Sequence, residues 1–502
     1  MSTRGKISTR EPFDVAIVGA GLSGMTAALL LANDGYRVAL LEAHTTCGGC
    51  AGYFRRGDFF FDVGATTFIS FQPGGVGQRL AQQVGLSDLP LAPIETYTLC
   101  LPDRRVPISS QHWARSWSES FPELGEGGVR FFESLGQQAD RIWNLACQIP
   151  SLPLSRPRDL VRCLSAIRPS HIPSIPHFFT RFGEHLKPFS PLPEAMVGAF
   201  NMLLQDTTQN GIEQTPTAYA LLGLTLMRHG LFRPRGSTRE LWQRLTTNFT
   251  DSGGALLKKH PVERILRSGD GFEIEFSRKQ LHPIKATRVI SAIPVWNTHR
   301  LAPELFGAKL DPFLSRRRDL DGAFALYLGV RDFGLPQKAL HYQVLGEIGA
   351  ELSDGNNFLI SLSGANESAA PAGFRSVTIS CHSEPRQWET LPCEQRQLLG
   401  SRIVERFLSG AERLFPGFRE AIVDEHFYPA SPLTYARFTR RYRGMAGNQA
   451  LTRSNSMWNA IPRYFGEENF LQIGDTGFPG AGTVACMVSG FNAYKDVKNH
   501  WF

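Results

Sequence analysis

No apolar run in this chain approaches the roughly 18–20 residues needed to cross a bilayer; the longest candidates, 27–32 and 218–227, have the length of buried helix segments. Cysteine is sparse, with eight scattered residues in 502, so no disulfide framework is written into the chain and a reducing, cytoplasmic setting fits. The thirteen histidines form no H-x-x-x-H or H-E-x-x-H constellation, and no metal site is expected. A G-x-S-x-G elbow and a Walker A loop are both missing, which removes the common hydrolase and P-loop readings. The leader, residues 1–12, is polar and lacks the apolar core of a secretory signal, and it leaves little room for a transit peptide. The net charge of +7 is not gathered into a stripe, so no nucleic-acid partner is expected. Its short clusters, 316–318 and 437–443, read as solvated surface, with attraction to an anionic membrane as the alternative.

What is present begins with one supersecondary unit. The run 13–18 (FDVAIV) reads as a buried strand, 22–33 as a helix ending at Gly35, and 37–41 as a second strand ending at an acid. Between strand and helix lies Gly19-Ala20-Gly21-Leu22-Ser23-Gly24, a G-x-G-x-x-G in its required context. The first glycine permits the tight turn, the second lets a pyrophosphate approach the backbone, and the third lets the helix sit close on the sheet. Glu42, with Ala43 beside it, follows at about the 20-residue spacing of the acid that binds an adenosine ribose. A carboxylate there repels a 2′-phosphate, which argues against NADP. No second G-x-G-x-x-G occurs, so no dedicated nicotinamide site is expected.

Further along, 194–205 and 216–228 read as apolar helices, and 256–263, 272–276 and 288–293 as strands. The same holds for strands at 323–330, 358–362, 377–382 and 470–473. An amphipathic helix is expected over 394–414, with Leu398, Ile403 and Phe407 on one side, and a last helix over 483–498. No internal repeat or low-complexity segment shows.

The tract 47–66, CGGCAGYFRRGDFFFDVGAT, resembles the corresponding tract of FAD-dependent carotenoid desaturases and isomerases, a phytoene-desaturase-like family. Near the other end, 474–482 (GDTGFPGAG) resembles that family's C-terminal flavin motif. The tracts 235–241, 253–255, 261–265 and 289–294 agree with its return to the cofactor domain. The resemblance implies an α/β fold: a glutathione-reductase-like Rossmann FAD-binding domain (12–70, 235–305 and 462–502) with an inserted α+β substrate domain (71–234 and 306–461). It also implies that Gly48, Gly49 and Cys50, then Gly64, Ala65 and Thr66, then Gly474 and Asp475 line the flavin, Asp475 on ribityl hydroxyls. Val262 would contact adenine through its backbone, and the helix opening near Thr483 would aim its positive end at the flavin. Cys47 and Cys50 could be taken for a redox pair, but Gly48 and Gly49 between them are already explained by the flavin phosphate.

Within that family, 59–66 and the following Gln72-Pro73-Gly74-Gly75 most resemble desaturases acting at the 3′,4′ position of a conjugated carotenoid. Isomerases and a retinol saturase are the enzymatic alternatives; a carrier of prenylated proteins, which uses no flavin, is the non-enzymatic one. An amine oxidase fits less well, because the C-terminal tract lacks that family's aromatic sandwich. The expected partners are a carotenoid or related polyene lipid, a quinone or oxygen as electron acceptor, and a membrane surface from which the lipid is collected. Asp62 is read as a structural carboxylate, and no residue is assigned as catalytic. For peripheral docking the best segment is 162–187, which mixes Ile172, Ile175, Phe178, Phe179 and Phe182 with Arg168, Arg181 and Lys187. Its prolines predict an irregular stretch and then a short helix from about Pro176.

Overall fold

The computed structural model of the chain describes residues 11–148, 152–315 and 320–499. The leader residues 1–10 and the basic cluster 316–318 lie outside the described residues. The opening unit is β1 (Phe13–Val18), α1 (Leu22–Asn33) and β2 (Val38–Glu42). β1 is parallel to β2 on one side and to Ile284–Ser291 on the other. Ala255–Lys258 extends the sheet beyond β2, and Phe470–Gln472 pairs parallel with Ile284–Ser291. Chain segments from the beginning, middle and end thus meet in one sheet. It is buried on both faces, which suits the unbroken apolar runs of its central strands. α1 and the C-terminal helix Thr483–Lys498 cover one face; helices Val295–Leu301 and Pro303–Ser315 cover the other.

The stretch 256–263 is two strands rather than one. Ala255–Lys258 stops where Lys259 takes φ +60° and Pro261 follows, and Val262–Ser268 begins a separate hairpin with Gly271–Phe276. Proline offers no N–H to a ladder, so the apolar run could not continue in one register.

A second sheet runs in the order Ile422–Ala430, Ala323–Arg331, Phe374–His382, Asn357–Leu362, His341–Leu345, Thr96–Cys100, Arg105–Ser109. Its last two strands fall within 71–234, where the sequence marks helices only, at 194–205 and 216–228. They join it through a parallel pairing of Thr96–Cys100 with His341–Leu345. The helix Cys393–Leu414 packs on this sheet through Leu399, Ile403, Phe407 and Leu414. Leu398, expected on that face, is 68% exposed. The i, i+4 row running from 399 decides the phase, and position 398 lies one residue off it. Helices between Trp113 and Leu224 form a third apolar core. The helix expected over 216–228 spans only Thr217–Leu224.

Candidate cofactor and substrate site

The glycine turn after β1 and the loop 47–52 are joined by one backbone bond, from the Gly48 N–H to the Ala20 carbonyl at 2.9 Å. Their conformations explain the residues. Gly19 and Gly48 have φ of +101° and +127°, where a side chain is strained. A Cβ at Gly24 would lie 2.1 Å from the Gly19 carbonyl oxygen, so α1 can approach the turn only if residue 24 has no side chain. Gly21 differs: its backbone is extended, and a Cβ there would meet nothing within 4 Å. A Cβ on Gly49 would find only the Gly21 Cα, at 3.8 Å. The two glycines therefore face an open space at the start of α1, where no side chain caps the free N–H groups. That is the setting a pyrophosphate needs.

This space opens into a cavity of about 1150 Å³. Its wall includes Gly19, Gly21, Leu22, Ser23, Glu42, Ala43, Gly48, Gly49, Cys50, Gly64, Ala65, Val262, Gly474, Asp475 and Thr483. Tracts from opposite ends of the chain therefore converge. Three expected site residues lie outside the wall. Ala20 and Gly24 sit behind it as turn and packing positions, and Thr66 faces away, its hydroxyl 2.9 Å from that of Ser361 in a separate small pocket.

The Glu42 carboxylate accepts from the backbone N–H of Ala20 at 3.1 Å and of His44 at 2.8 Å. Burial pushes its pKa up, and those N–H groups pull it back. Asp475 is bound at 2.8 Å by the Arg441 guanidinium, which also donates to the carbonyls of Met445 and Gly447. Arg441 belongs to the cluster 437–443 that reads as surface in sequence. It is instead a buried cation in the cavity wall, and Arg443 pairs with Glu389. A buried arginine needs a carboxylate and carbonyls around it, and that environment comes from distant residues no local pattern reveals. Asp62 is partly buried and accepts from the Thr238 N–H and hydroxyl, at 2.7 and 3.0 Å. Burial lifts its pKa to about 6; it pins the start of helix Thr238–Asp251 onto the loop 47–66. The Cys47 thiol is pushed up to about 12 by burial and by Glu42, and burial raises that of Cys50 as well. Neither is a thiolate at neutral pH, so the pair lacks what dithiol chemistry requires.

Beyond the glycine turns the wall is formed by the second sheet and the segment after it: Tyr327, Leu359, Phe427, Tyr428, Tyr435 and Phe438. Tyr327 and Tyr435 both donate to the Val63 carbonyl, tying that sheet to the loop 47–66. Asp206, His382 and Gln209 also line this end and were not found from sequence.

A model for the NAD(P)-binding Rossmann-like domain matches residues 17–84. Prolycopene isomerase 1 of an Oncidium hybrid cultivar is 25% identical over 97% of this chain and 84% of its own length. The prolycopene isomerase of Arabidopsis thaliana is 23% identical over 95% and 81%. Human all-trans-retinol 13,14-reductase is 26% identical over 58% of this chain and 48% of its own length. Among solved structures, an oxidoreductase from Methanosarcina mazei superposes with a TM-score of 0.66 at 14% identity, covering 96% and 99% of the two chains. Cyclohexylamine oxidase from Brevibacterium oxydans gives 0.59 at 14%, covering 97% and 100%. The fold is thus the glutathione-reductase-like α/β fold of FAD-dependent oxidoreductases.

Two glycine substitutions separate cofactor room from packing. Gly21→Val should fold with the thermal stability of the wild-type apoprotein yet lose the dinucleotide on purification, because its side chain takes the pyrophosphate's place. Gly24→Val should be destabilised by about 3 kcal/mol or more. Equal cofactor loading of Gly21→Val and wild type, judged by absorbance, would contradict the assignment.

Proposed function

We propose, from the chain's full-length homology to the carotenoid isomerase and desaturase-like family, that it is an FAD-dependent oxidoreductase introducing a double bond into a carotenoid-type polyene. The observation that carries this reading is one cavity that begins on dinucleotide-binding turns and ends on an apolar, aromatic wall. Its volume exceeds the roughly 300–1,000 Å³ usual for a single ligand, which suits a cofactor and a lipid side by side.

The residues present fit FAD. Gly21 and Gly49 leave room for the phosphates, Glu42 keeps lone pairs for ribose hydroxyls, and Asp475, its charge balanced by Arg441, is placed to orient the ribityl chain. When bound, FAD supplies a two-electron acceptor for the polyene. A quinone or oxygen then takes the electrons onward. The protein's part is to bury the apolar length of the substrate, at roughly 25 cal/mol per Å², and to hold the reacting carbons in place. The desaturase reading rests on the tract 59–66. Isomerisation is the second reading, favoured by the similarity to prolycopene isomerases over nearly the whole chain.

Membrane collection of the lipid is supported by an inverted helix. Pro157–Ala166 turns Asp159, Arg162, Cys163 and Ala166 inward, whereas Leu160, Val161 and Leu164 are exposed. Arg162 reaches the buried Asp496 of the C-terminal helix at 2.5 Å, so the polar face is fixed and the apolar face has only solvent before it. Ile167, Ile172, Ile175 and Phe179 continue the exposed patch, among exposed Arg158, Arg168, Arg181 and Lys187. Two residues of the expected docking set behave otherwise: Phe182 is fully buried and Phe178 packs on the helical core. The stretch from Pro169 is a 3-10 segment to Phe178, with a short helix only at Phe182–Leu186. Among the described residues no helix is long and apolar enough to cross a membrane. A peripheral, cytoplasm-facing enzyme held by this patch on anionic lipid is the arrangement we propose.

FAD-loaded protein should convert neurosporene, lycopene or a hydroxylated carotenoid in liposomes with added quinone, giving a red-shifted product two hydrogens lighter. A product of unchanged mass would replace desaturation by isomerisation, and no change in any polyene would overturn both. Val161, Leu164 and Ile172 replaced together by Ser should abolish co-sedimentation with anionic liposomes while the cofactor stays bound. Undiminished sedimentation of that variant would remove the patch as the docking surface.

A further inference from the structure

Among the aliphatic and aromatic side chains that the second sheet gives to the cavity stand two polar ones, Ser380 and His382. They are two residues apart on the strand Phe374–His382, so both leave the same face of the sheet. Their neighbours on that wall are Ala323, Leu359 and Ala430. Ala323 lies opposite His382 in the ladder, and Leu359 opposite Ser380.

The His382 ring is held from behind. Its Nδ1 lies 2.7 Å from Asp321 Oδ2, with both side chains about 15% exposed. A carboxylate only accepts, so Nδ1 carries a proton and the ring is fixed in orientation. Asp321 is itself anchored: its other oxygen accepts the Gly322 N–H at 2.9 Å, and its carbonyl accepts the Ala446 N–H at 3.0 Å. The opposite ring nitrogen, Nε2, and the Ser380 hydroxyl have no hydrogen-bond partner among the described residues, and both residues line the cavity.

Polar groups on a cavity wall lose their water when an apolar ligand covers them, and nothing in a hydrocarbon replaces the lost bonds. An oxygen on the ligand would replace them. We propose that Ser380 and His382 form a recognition site for an oxygen atom on the polyene, a hydroxyl or carbonyl held by the His382 Nε2–H and the Ser380 O–H, with Asp321 as the positioning residue. The inference rests on the polyene reading of the cavity and adds that the substrate is an oxygenated polyene rather than a hydrocarbon. A few placed polar groups on an apolar wall are what fixes the orientation of a ligand and discriminates against its analogues.

The electrostatics supply the donor. Burial alone would lower the His382 pKa, but the charge and hydrogen bond of Asp321, with a smaller contribution from the exposed Asp206 on the facing helix Glu194–Thr208, raise it to about 9. At neutral pH the ring is therefore an imidazolium and Nε2 bears a hydrogen. Above that midpoint the remaining proton stays on Nδ1 against Asp321, and Nε2 becomes an acceptor. A hydroxyl suits either state, whereas a carbonyl suits only the charged one. The other groups nearby are quiet. Asp354 is engaged by Ser383 and Gln387, and burial keeps the Cys381 thiol and the Tyr327 and Tyr435 phenols protonated.

The test uses FAD-loaded full-length protein as wild type, Ser380→Ala and His382→Leu. The probes are lycopene and its hydroxylated and keto derivatives in detergent micelles, with quenching of protein fluorescence giving each dissociation constant. Wild type should bind the two oxygenated polyenes about 10–100-fold more tightly than lycopene, the range of one hydrogen bond to a charged group. His382→Leu should bring the three constants within about threefold of one another, with lycopene bound as well as before or better. Ser380→Ala should lose part of the preference. As pH rises from neutral through about 9, the preference for the keto derivative should fall and that for the hydroxylated one remain. Equal binding of the three by wild type overturns the inference alone, as does a keto preference unchanged above that midpoint. Loss of FAD from His382→Leu overturns it too, because the nitrogen would then serve the cofactor. Should His382→Leu not fold, Ser380→Ala decides: it removes only a hydroxyl, and an unchanged preference overturns the site. Failure of wild type to bind any of the three overturns the polyene reading itself.

Discussion

One backbone hydrogen bond, from the Gly48 N–H to the Ala20 carbonyl, sets the distance between the two glycine turns, and the rest of the site is arranged around it. The bond requires Gly48 at a φ of +127°, with Gly52 and Trp242 packed so close that a Cβ would lie within 3 Å of both. Trp242 in turn donates to the Ala51 carbonyl at 2.6 Å. Its helix begins at Thr238, where Asp62 takes the first N–H. The turns are thus held by a helix whose Trp242 lies 191 residues beyond the Ala51 carbonyl it binds. The gap they frame is lined by backbone, with no side chain projecting into it, as a phosphate chain requires.

From that gap the cavity runs on to a wall rich in aromatic rings. Glu42 stands at one end; Asp475 with Arg441 lies farther along; aromatic rings from the second sheet form the far wall. Each buried charge in the first two groups has a partner. Glu42 has two backbone N–H groups and Asp475 has a guanidinium. The helix Pro157–Ala166 departs from the usual arrangement of a surface helix. Its Arg162 and Asp159 point inward to Asp496 and Arg463, and its leucines face out. This exposed apolar face is the observation behind the membrane-docking proposal.

Local order was legible in the sequence. The bounds of β1 and α1 follow from FDVAIV, the glycine turn and the Ala/Leu run, because each is set by neighbours along the chain. The convergence of 47–66 with 474–482 was legible through family resemblance, since spacing alone cannot say that opposite ends of a chain meet. Phase and partnership were harder. Leu398 and Leu399 are equally apolar, and only packing on the sheet selects Leu399. The segment 162–187 suggested an interfacial surface, but its prolines remove the periodicity that would tell Phe179 from the buried Phe182. Arg441 read as surface because its partners are at 445, 447 and 475. Asp206 and His382, which line the cavity, carry no signal at all, coming from a helix and a strand end far apart in the chain.

The central claim is that these turns hold a flavin dinucleotide. The most direct measurement is denaturation of purified protein followed by chromatographic identification and counting of what it releases. The account predicts a yellow protein that yields close to one FAD per chain. A colourless protein, or one that releases only a nicotinamide dinucleotide, would contradict it.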